Sequence, residues 1–357
     1  MILIYSLVTR FLYAFLVVVV SLSGLLTVFD LLANADSVLE HHAGELLPLL
    51  HYVSLRIQQI FSFVLPLAVL IAAMVLFVRM VLTQEIVILR ATGISVHYIL
   101  GILALATVMI AFVHLSFLNL ILPHTSATLY RWQKEDYRGV PMSNTSKIAS
   151  DWVASGHQFI RAESVSEEGF RLRNIQLVTR DDNYAITDYL AADSAIYQQG
   201  MWRLDGVREL HSDNEAPQGQ NVSTLRSLPF EPRMLSLTGV REEELSYGDL
   251  LLLMDKTDED TDNSRPYAFW FHHKLAYPFS SFVMLMMAVP VAFQLARRNQ
   301  ILICCFGCIM AGFLFYVVQQ LLASLGETAA LPPILAAWSP AILGASMTNW
   351  AVLHWET

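Results

Sequence analysis

Charged side chains are scarce in this sequence. Asp, Glu, Lys and Arg make up 15% of its 357 residues, against 55% that are hydrophobic. A soluble domain carries about 25% charged residues, so the composition points to a membrane protein. A basic excess is absent too: the net charge of −9 argues against a nucleic-acid binder, which needs cations to neutralise phosphates. Cysteine is limited to Cys304, Cys305 and Cys308, all inside one apolar run. The polar middle of the chain therefore folds without disulfides, and the three thiols read as small hydrophobes rather than as a metal or redox site. No G-x-x-x-x-G-K-[ST] loop is present, so the chain has no phosphate cradle of that kind for a nucleotide. His41 and Glu45 have i,i+4 spacing and His272 neighbours His273, but no H-E-x-x-H accompanies them, which argues against a metal centre. No apolar run shows the Ser/His or paired-Asp arrangement of an intramembrane protease.

What the chain has is long apolar runs. Six of them, at about 11–32, 57–78, 98–122, 269–296, 301–325 and 333–353, reach the ~20 residues a helix needs to cross hydrocarbon. The first is followed by Ala33-Asn34-Ala35, which would suit a signal peptidase. Its length exceeds the roughly 7–15 residues of a signal-peptide core, so it reads as a retained span. The third run stops at Pro123. Pro66, Pro278 and Pro290 are tolerable within spans, where packed neighbours satisfy the freed carbonyls.

Between the third and fourth runs, about 124–268, the pattern changes to alternation: "HQFIRAESV", "FRLRNIQLVTR", "YAITDYLAADSAIYQQGMWRLDGVREL". Period-two patterning with turn residues at Ser166–Gly169, Arg180–Asn183 and Gln199–Gly200 predicts short antiparallel strands, in a small β-sandwich or jelly roll. Phe159, Ile175, Leu177, Ile186, Tyr197, Trp202 and Leu204 are the expected inward-facing set. Such a set builds a plain core or an open-sided sandwich that shelters acyl chains, and alternation serves both. "EAPQGQ" reads as a loop, and the acidic Asp255–Pro266 as a flexible connector.

The expected fold is thus a polytopic α-helical membrane protein. Residues 1–123 hold three spans, 124–268 an inserted β domain with its connectors, and 269–357 three more spans. Arg10, Arg79, Arg90, Arg297 and Arg298 lie around one set of short links, whereas "ADSVLEHHAGE" and "LGETAALPP" on the other side are acidic or neutral. The positive-inside rule then puts both termini in the cytoplasm and the β domain outside.

On the cytoplasmic side, between the second and third runs, lies "TQEIVILRATGIS", residues 83–95. Ile86, Leu89 and Ile94 form part of an apolar stripe, which Val87 and Ile88 widen. Glu85 and Arg90 are five apart, on different faces, so at least one charge is expected to be free for a partner. Gly93 suits a helix C-cap with left-handed backbone. The stretch reads as an interfacial helix with snorkelling charges, or as a helix that docks a cytoplasmic subunit.

"QEIVILRATGIS" resembles the coupling-helix motif of the LptF/LptG family of lipopolysaccharide-export permeases. So do "VSLSGLL" with Phe29-Asp30, "DWVASGHQFIRAESV", "MWRLDGV", "HKLAYPFSSFVMLMMAVPVAF", "GFLFYVVQQL" and "ALPPILAAWSPA", in the family's order and nearer its LptG branch. The resemblance implies a jelly roll in the periplasm and a place in the inner membrane of Gram-negative bacteria. It implies pairing with an LptF-like second permease above a cytoplasmic ABC ATPase dimer, which binds ATP and Mg; this chain binds no cofactor. It further implies extraction of lipopolysaccharide through a lateral opening at the first and fifth spans, with transfer to a periplasmic jelly-roll bridge protein. Glu85 matches the family's coupling glutamate, expected to meet an arginine of the ATPase; Arg90 matches no fixed family residue. Ile86, Leu89 and Gly93 complete the coupling set.

For the substrate path, cations near the outer surface suit lipid phosphates: Arg131, Lys134 and Arg138 after the third span, and Lys274 at the start of the fourth. Routine snorkelling is the plain alternative. Family lysines at the outer end of the first span are replaced here by Thr27, Ala33 and Asn34, leaving Thr27 and Asp30 as lining candidates. Phe313, Tyr316 and Gln320 are gate candidates on the fifth span, or else ordinary packing residues. The competing reading is a membrane-anchored scaffold or sensor whose outer β domain binds an envelope partner.

Overall fold

The computed structural model describes residues 2–42, 45–138, 148–149, 152–155, 157–164, 170–181, 185–198, 200–211, 218–219, 224–228, 230, 232–237, 240–256, 265–293 and 298–356. They divide into two compact units, residues 1–139 with 268–357, and residues 140–267.

The first unit is helical. It opens with α1 (Ile2–Leu39) and α2 (Leu46–Leu82), of 38 and 37 residues. At 1.5 Å per residue each is roughly 55 Å long, well beyond a ~30 Å hydrocarbon core, so their ends project past it. Pro66 lies within α2 without ending it. The short α3 (Glu85–Ala91) follows, then α4 (Val96–Leu120), whose N-cap Ser95 accepts a hydrogen bond from the Tyr98 backbone N–H at 3.3 Å. Pro123 does not close the third run. It stands in the first turn of a further helix, α5 (Leu122–Lys134), where its missing N–H costs nothing.

The chain re-enters this unit through α8 (Arg265–Ala276) and α9 (Ser280–Phe293), joined by a 3₁₀ turn over Tyr277–Phe279. Then come α10 (Arg298–Glu327) and α11 (Pro333–Glu356). Among the described residues, five helical stretches are long and apolar enough to cross a membrane: α1, α2, α4, α8 with α9, and α10. The sixth run is helical too, as α11, with Pro340 inside it, but it is not one of these five.

The core forms around α2. Ala68, Ala72 and Ala73 are fully buried there; small residues let helices approach closely in the absence of a lipid-phase hydrophobic drive. Val69, Leu70 and Phe77 pack in one cluster with Met284, Leu285 and Ala288 of α9. Burial is uneven. Of the apolar window of each span, 67% is buried for α2 but 22% for α1 and 22% for α10.

Among its described residues the second unit carries nine strands: β1 (Ile148–Ala149), β2 (Val153–Ser155), β3 (Gln158–Ser164), β4 (Arg171–Arg180), β5 (Ile186–Gln198), β6 (Met201–Asp205), β7 (Arg208–His211), β8 (Gln218–Gly219) and β9 (Thr224–Arg226). All belong to one antiparallel sheet with β3, β4, β5 and β6 in sequence order. The short helices α6 (Pro232–Leu237) and α7 (Tyr247–Lys256) follow. Ser246 opens α7: its hydroxyl accepts from the Asp249 N–H at 3.2 Å, while the Asp249 carboxylate accepts from the Ser246 N–H at 3.1 Å. Burial alone would raise the Asp249 pKa. The Ser246 hydrogen bonds and the Arg233 guanidinium at 2.8 Å outweigh it and hold the carboxyl below its ordinary value.

Ile175, Leu177, Trp202 and Leu204 are buried as expected, and Trp202 donates its indole N–H to the Phe230 carbonyl at 3.0 Å. Three of the expected inward residues are not. Ile186 is 59% exposed, because it is the first residue of β5 and pairs with Arg180 beyond an irregularity in the ladder. Phe159 is only partly buried, since Ile160 and Ala162 supply the inward face of β3; it lies beneath the Arg180 guanidinium, 4.1 Å from the ring centre. Tyr197 is half-buried and packs against Trp202 in a tilted arrangement, 5.0 Å between ring centres. Of the turn expected at Gln199–Gly200, Gly200 has φ +83° and Gln199 lies outside the described residues. The Ser166–Gly169 turn, most of "EAPQGQ" and most of the Asp255–Pro266 connector lie outside the described residues.

Candidate functional site

Two polar constellations mark opposite ends of the α1–α2 pair. The first is built on α3. Gln84 precedes this helix with φ +57°, a left-handed turn that reverses the chain within two residues of α2. At the other end Gly93 takes φ +85°. The Gly93 N–H reaches the Arg90 carbonyl and the Ile94 N–H reaches the Leu89 carbonyl, both at 3.0 Å. This is the paired closure that a left-handed glycine permits at a helix C-terminus. The expected C-cap geometry at Gly93 is therefore present.

Ile86 is buried, and Leu89 and Ile94 pack partly against the same bundle core, so this stripe anchors α3 to its own chain. Val87 and Ile88 are exposed at 48% and 60% and form the outward apolar face. Arg90 is exposed. Glu85 is not free: Arg10 of α1 donates from Nη1 to both carboxylate oxygens, at 3.0 and 3.2 Å. Both side chains remain more than a third exposed, so this pair is exchangeable and weak in itself. Sequence reading missed Arg10 as a partner because 75 residues separate the two.

The second constellation lies at the far end. Arg56 of α2 donates to Asp30 of α1 from Nε at 3.0 Å and Nη2 at 2.9 Å, and the Tyr52 hydroxyl donates to the other carboxylate oxygen at 2.7 Å. Arg56 also reaches Gln59 at 2.5 Å, whose amide donates to Ser126 of α5 at 3.0 Å. Three helices are thus tied by one neutralised network. Arg56 falls one residue before the apolar run that marked the second span, which hid it. A charge next to a span on a helix that continues past it was the signal available.

The other candidates scatter. Thr27 is buried and donates to the Ser23 carbonyl at 2.6 Å, so it lines nothing in this arrangement. Asn34 donates to the Asp30 carbonyl at 2.8 Å. Arg131 and Lys134 lie on α5, and Lys134 and Arg138 are exposed. Lys274 is buried, at 3% exposure, rather than at a surface. On α10, Phe313 and Gln320 are exposed, while Tyr316 donates to the Phe63 carbonyl at 2.9 Å and its ring lies 5.3 Å from that of Phe63. Inside the bundle, Ser62 and His114 hydrogen-bond at 2.9 Å. Cys304 and Cys305 are partly buried and Cys308 is buried, all as free thiols. The described residues contain no group of three or more His, Cys, Asp or Glu suited to a metal.

Known proteins give these features a context. The family model described as "Lipopolysaccharide export system permease LptF/LptG" matches residues 6–354. The LptG protein of Haemophilus influenzae is 24% identical over 293 residues, 80% of each chain. The LptG protein of Escherichia coli K12 is 22% identical over 346 residues, 95% of this chain and 93% of its own. With nearly its whole length matched, the chain belongs to the LptF/LptG family of lipopolysaccharide export permeases and within it is most like LptG.

Proposed function

We propose that this chain is the LptG-type permease subunit of an ABC-type exporter, which draws lipopolysaccharide from the outer leaflet of the inner membrane. It pairs with an LptF-like subunit above a cytoplasmic ATPase dimer that binds ATP and Mg, and hands the glycolipid to a periplasmic jelly-roll bridge. In this reading α11 is the sixth span, both termini are cytoplasmic, and the sheet unit curls into a periplasmic jelly roll. Motion delivered to α3 passes to α2 and α4, the helices on either side of it, as a rigid-body displacement.

The observation that carries the reading, beside the family match, is where the helical unit is bare. Of the five helices long and apolar enough to span, the least covered by their own chain are α1 and α10, each 22% buried over its apolar window. Those are the first and fifth spans, whose exposed apolar faces suit a gate shared with a second subunit. α3 offers the matching device on the inner side, with Val87, Ile88 and Arg90 turned outward and Glu85 held only by an exposed ion pair. On docking, Glu85 exchanges Arg10 for a cation of the ATPase.

The test is a detergent pull-down at native expression. Wild type should bring down an ATPase and a second permease. Glu85→Ala should lose the ATPase, since removing one member of a charge pair that becomes buried at an interface costs ~2–5 kcal/mol. Arg10→Ala should keep it. A chain that comes down alone, or a Glu85→Ala chain that retains the ATPase fully, sinks the coupling role and favours an envelope scaffold.

A further inference from the structure

A groove of about 490 Å³ runs between α1 and α2 at the end nearest α3. Its trough is apolar, formed by Ala14, Val17 and Val18 on one helix and Val75 and Leu76 on the other. At its mouth stand two guanidinium groups, Arg10 and Arg79, beside Thr9. Arg10 is shared with Glu85. Among the described residues the Arg79 side chain has neither an ion pair nor a hydrogen-bond partner, although it lies three residues inside the end of a membrane-length helix. Val17 and Val75 are 43% and 49% exposed, so the trough opens sideways toward surrounding hydrocarbon rather than toward the bundle core.

The two halves of this groove ask for one kind of occupant. Paired guanidiniums at the membrane boundary recognise a phosphate through charge-assisted bidentate hydrogen bonds. An apolar trough between helices takes an acyl chain. Basic pockets between spans on the cytoplasmic side are suited to anionic lipid headgroups. We propose that the α1–α2 groove binds one anionic phospholipid of the cytoplasmic leaflet, with its phosphate between Arg79 and Arg10 and an acyl chain against Val17, Val18 and Val75. The leaflet rests on the orientation in the proposed function; the binding chemistry does not. Because the phosphate draws on the cation that holds Glu85, an occupied groove frees the α3 carboxylate for its partner and links lipid composition to docking.

The experiment uses the full chain in detergent, with phosphatidylglycerol and phosphatidylcholine of identical acyl chains added and retained lipid read by native mass spectrometry. Wild type should hold one phosphatidylglycerol in preference to phosphatidylcholine. Arg79→Gln, at an exposed position outside the Arg10–Glu85 pair, should lower that retention roughly fivefold, the weight of one basic residue against an anionic headgroup. Val75→Trp, which fills the trough, should lower retention of both lipids. Equal retention of the two lipids by wild type would mean that any tail or a neighbouring helix fills the groove, and overturns the proposal, as does an Arg79→Gln chain that retains phosphatidylglycerol like wild type. No ATPase is involved, so lipid retention is read independently of the Glu85→Ala pull-down: failure of the pull-down removes the link to docking and leaves the lipid site standing, and failure of retention leaves the coupling role standing.

Discussion

At the scale of single residues, the Asp30–Arg56 pair governs how α1 is held. Its side chains are 17% and 29% exposed, and the carboxylate is saturated by Arg56 and Tyr52. Neutralised in this way, the pair offers little net charge to a passing phosphate but ties α1 firmly to α2. Asp30→Asn leaves the part-buried Arg56 guanidinium with no counter-charge. Breaking a fully buried pair costs ~3–5 kcal/mol; partial exposure reduces that, so a loss of about 1–3 kcal/mol is expected. The double variant Asp30→Asn with Arg56→Gln should recover most of it, because no unpaired charge remains. Thermal unfolding of the two single variants and the double in detergent gives the coupling directly. Strictly additive losses would show that the two side chains do not stabilise one another.

At the scale of elements, α3 is a seven-residue helix suspended between two left-handed positions, Gln84 and Gly93. Its orientation is set by those two backbone reversals and by Ile86, since so short a helix has little stability of its own. A Cβ at Gly93 would meet nothing within 4 Å, so the cost of substitution there is purely one of backbone conformation. Gly93→Ala should weaken α3 by ~1 kcal/mol and Gly93→Asn by less, because asparagine tolerates the left-handed region. Hydrogen exchange of the Ile94 amide, which closes the helix end, should rise in the order wild type, Asn, Ala. Equal protection in all three would mean that packing of Ile86 alone fixes the helix. The contrast with Gly312 is instructive: a Cβ there would come within 2.6 Å of Leu70, so that glycine serves the approach of α10 to α2 rather than a turn.

At the scale of the whole molecule, five of the six expected spans were legible because length and hydropathy alone select them, and the strands because alternation survives in β4 and β6. α5 was not. Its mixed, amphipathic sequence and Pro123 read as the end of a span, yet a proline in a first turn begins a helix as readily as it closes one. The inward face of the sheet was misjudged at Phe159 and Ile186, where period-two reading was set one residue off or carried beyond the regular ladder. In the site, the left-handed turn at Gly93 was legible from local pattern, whereas the partners Arg10 and Arg56 were not, because each acts on a residue at least 26 positions away. Sidedness is also a property of the whole chain, read from arginines in short links. It predicts that α3 and the sheet unit face opposite compartments. Cysteines at exposed Ile88 and exposed Met201 give the test, with the wild-type thiols of α10 as background. In spheroplasts a membrane-impermeant maleimide should label Met201→Cys and spare Ile88→Cys. In inverted vesicles the pattern should reverse. Labelling of both from one side would break the three-span, insert, three-span arrangement, and with it any route by which an inner-side helix could drive an outer-side handover.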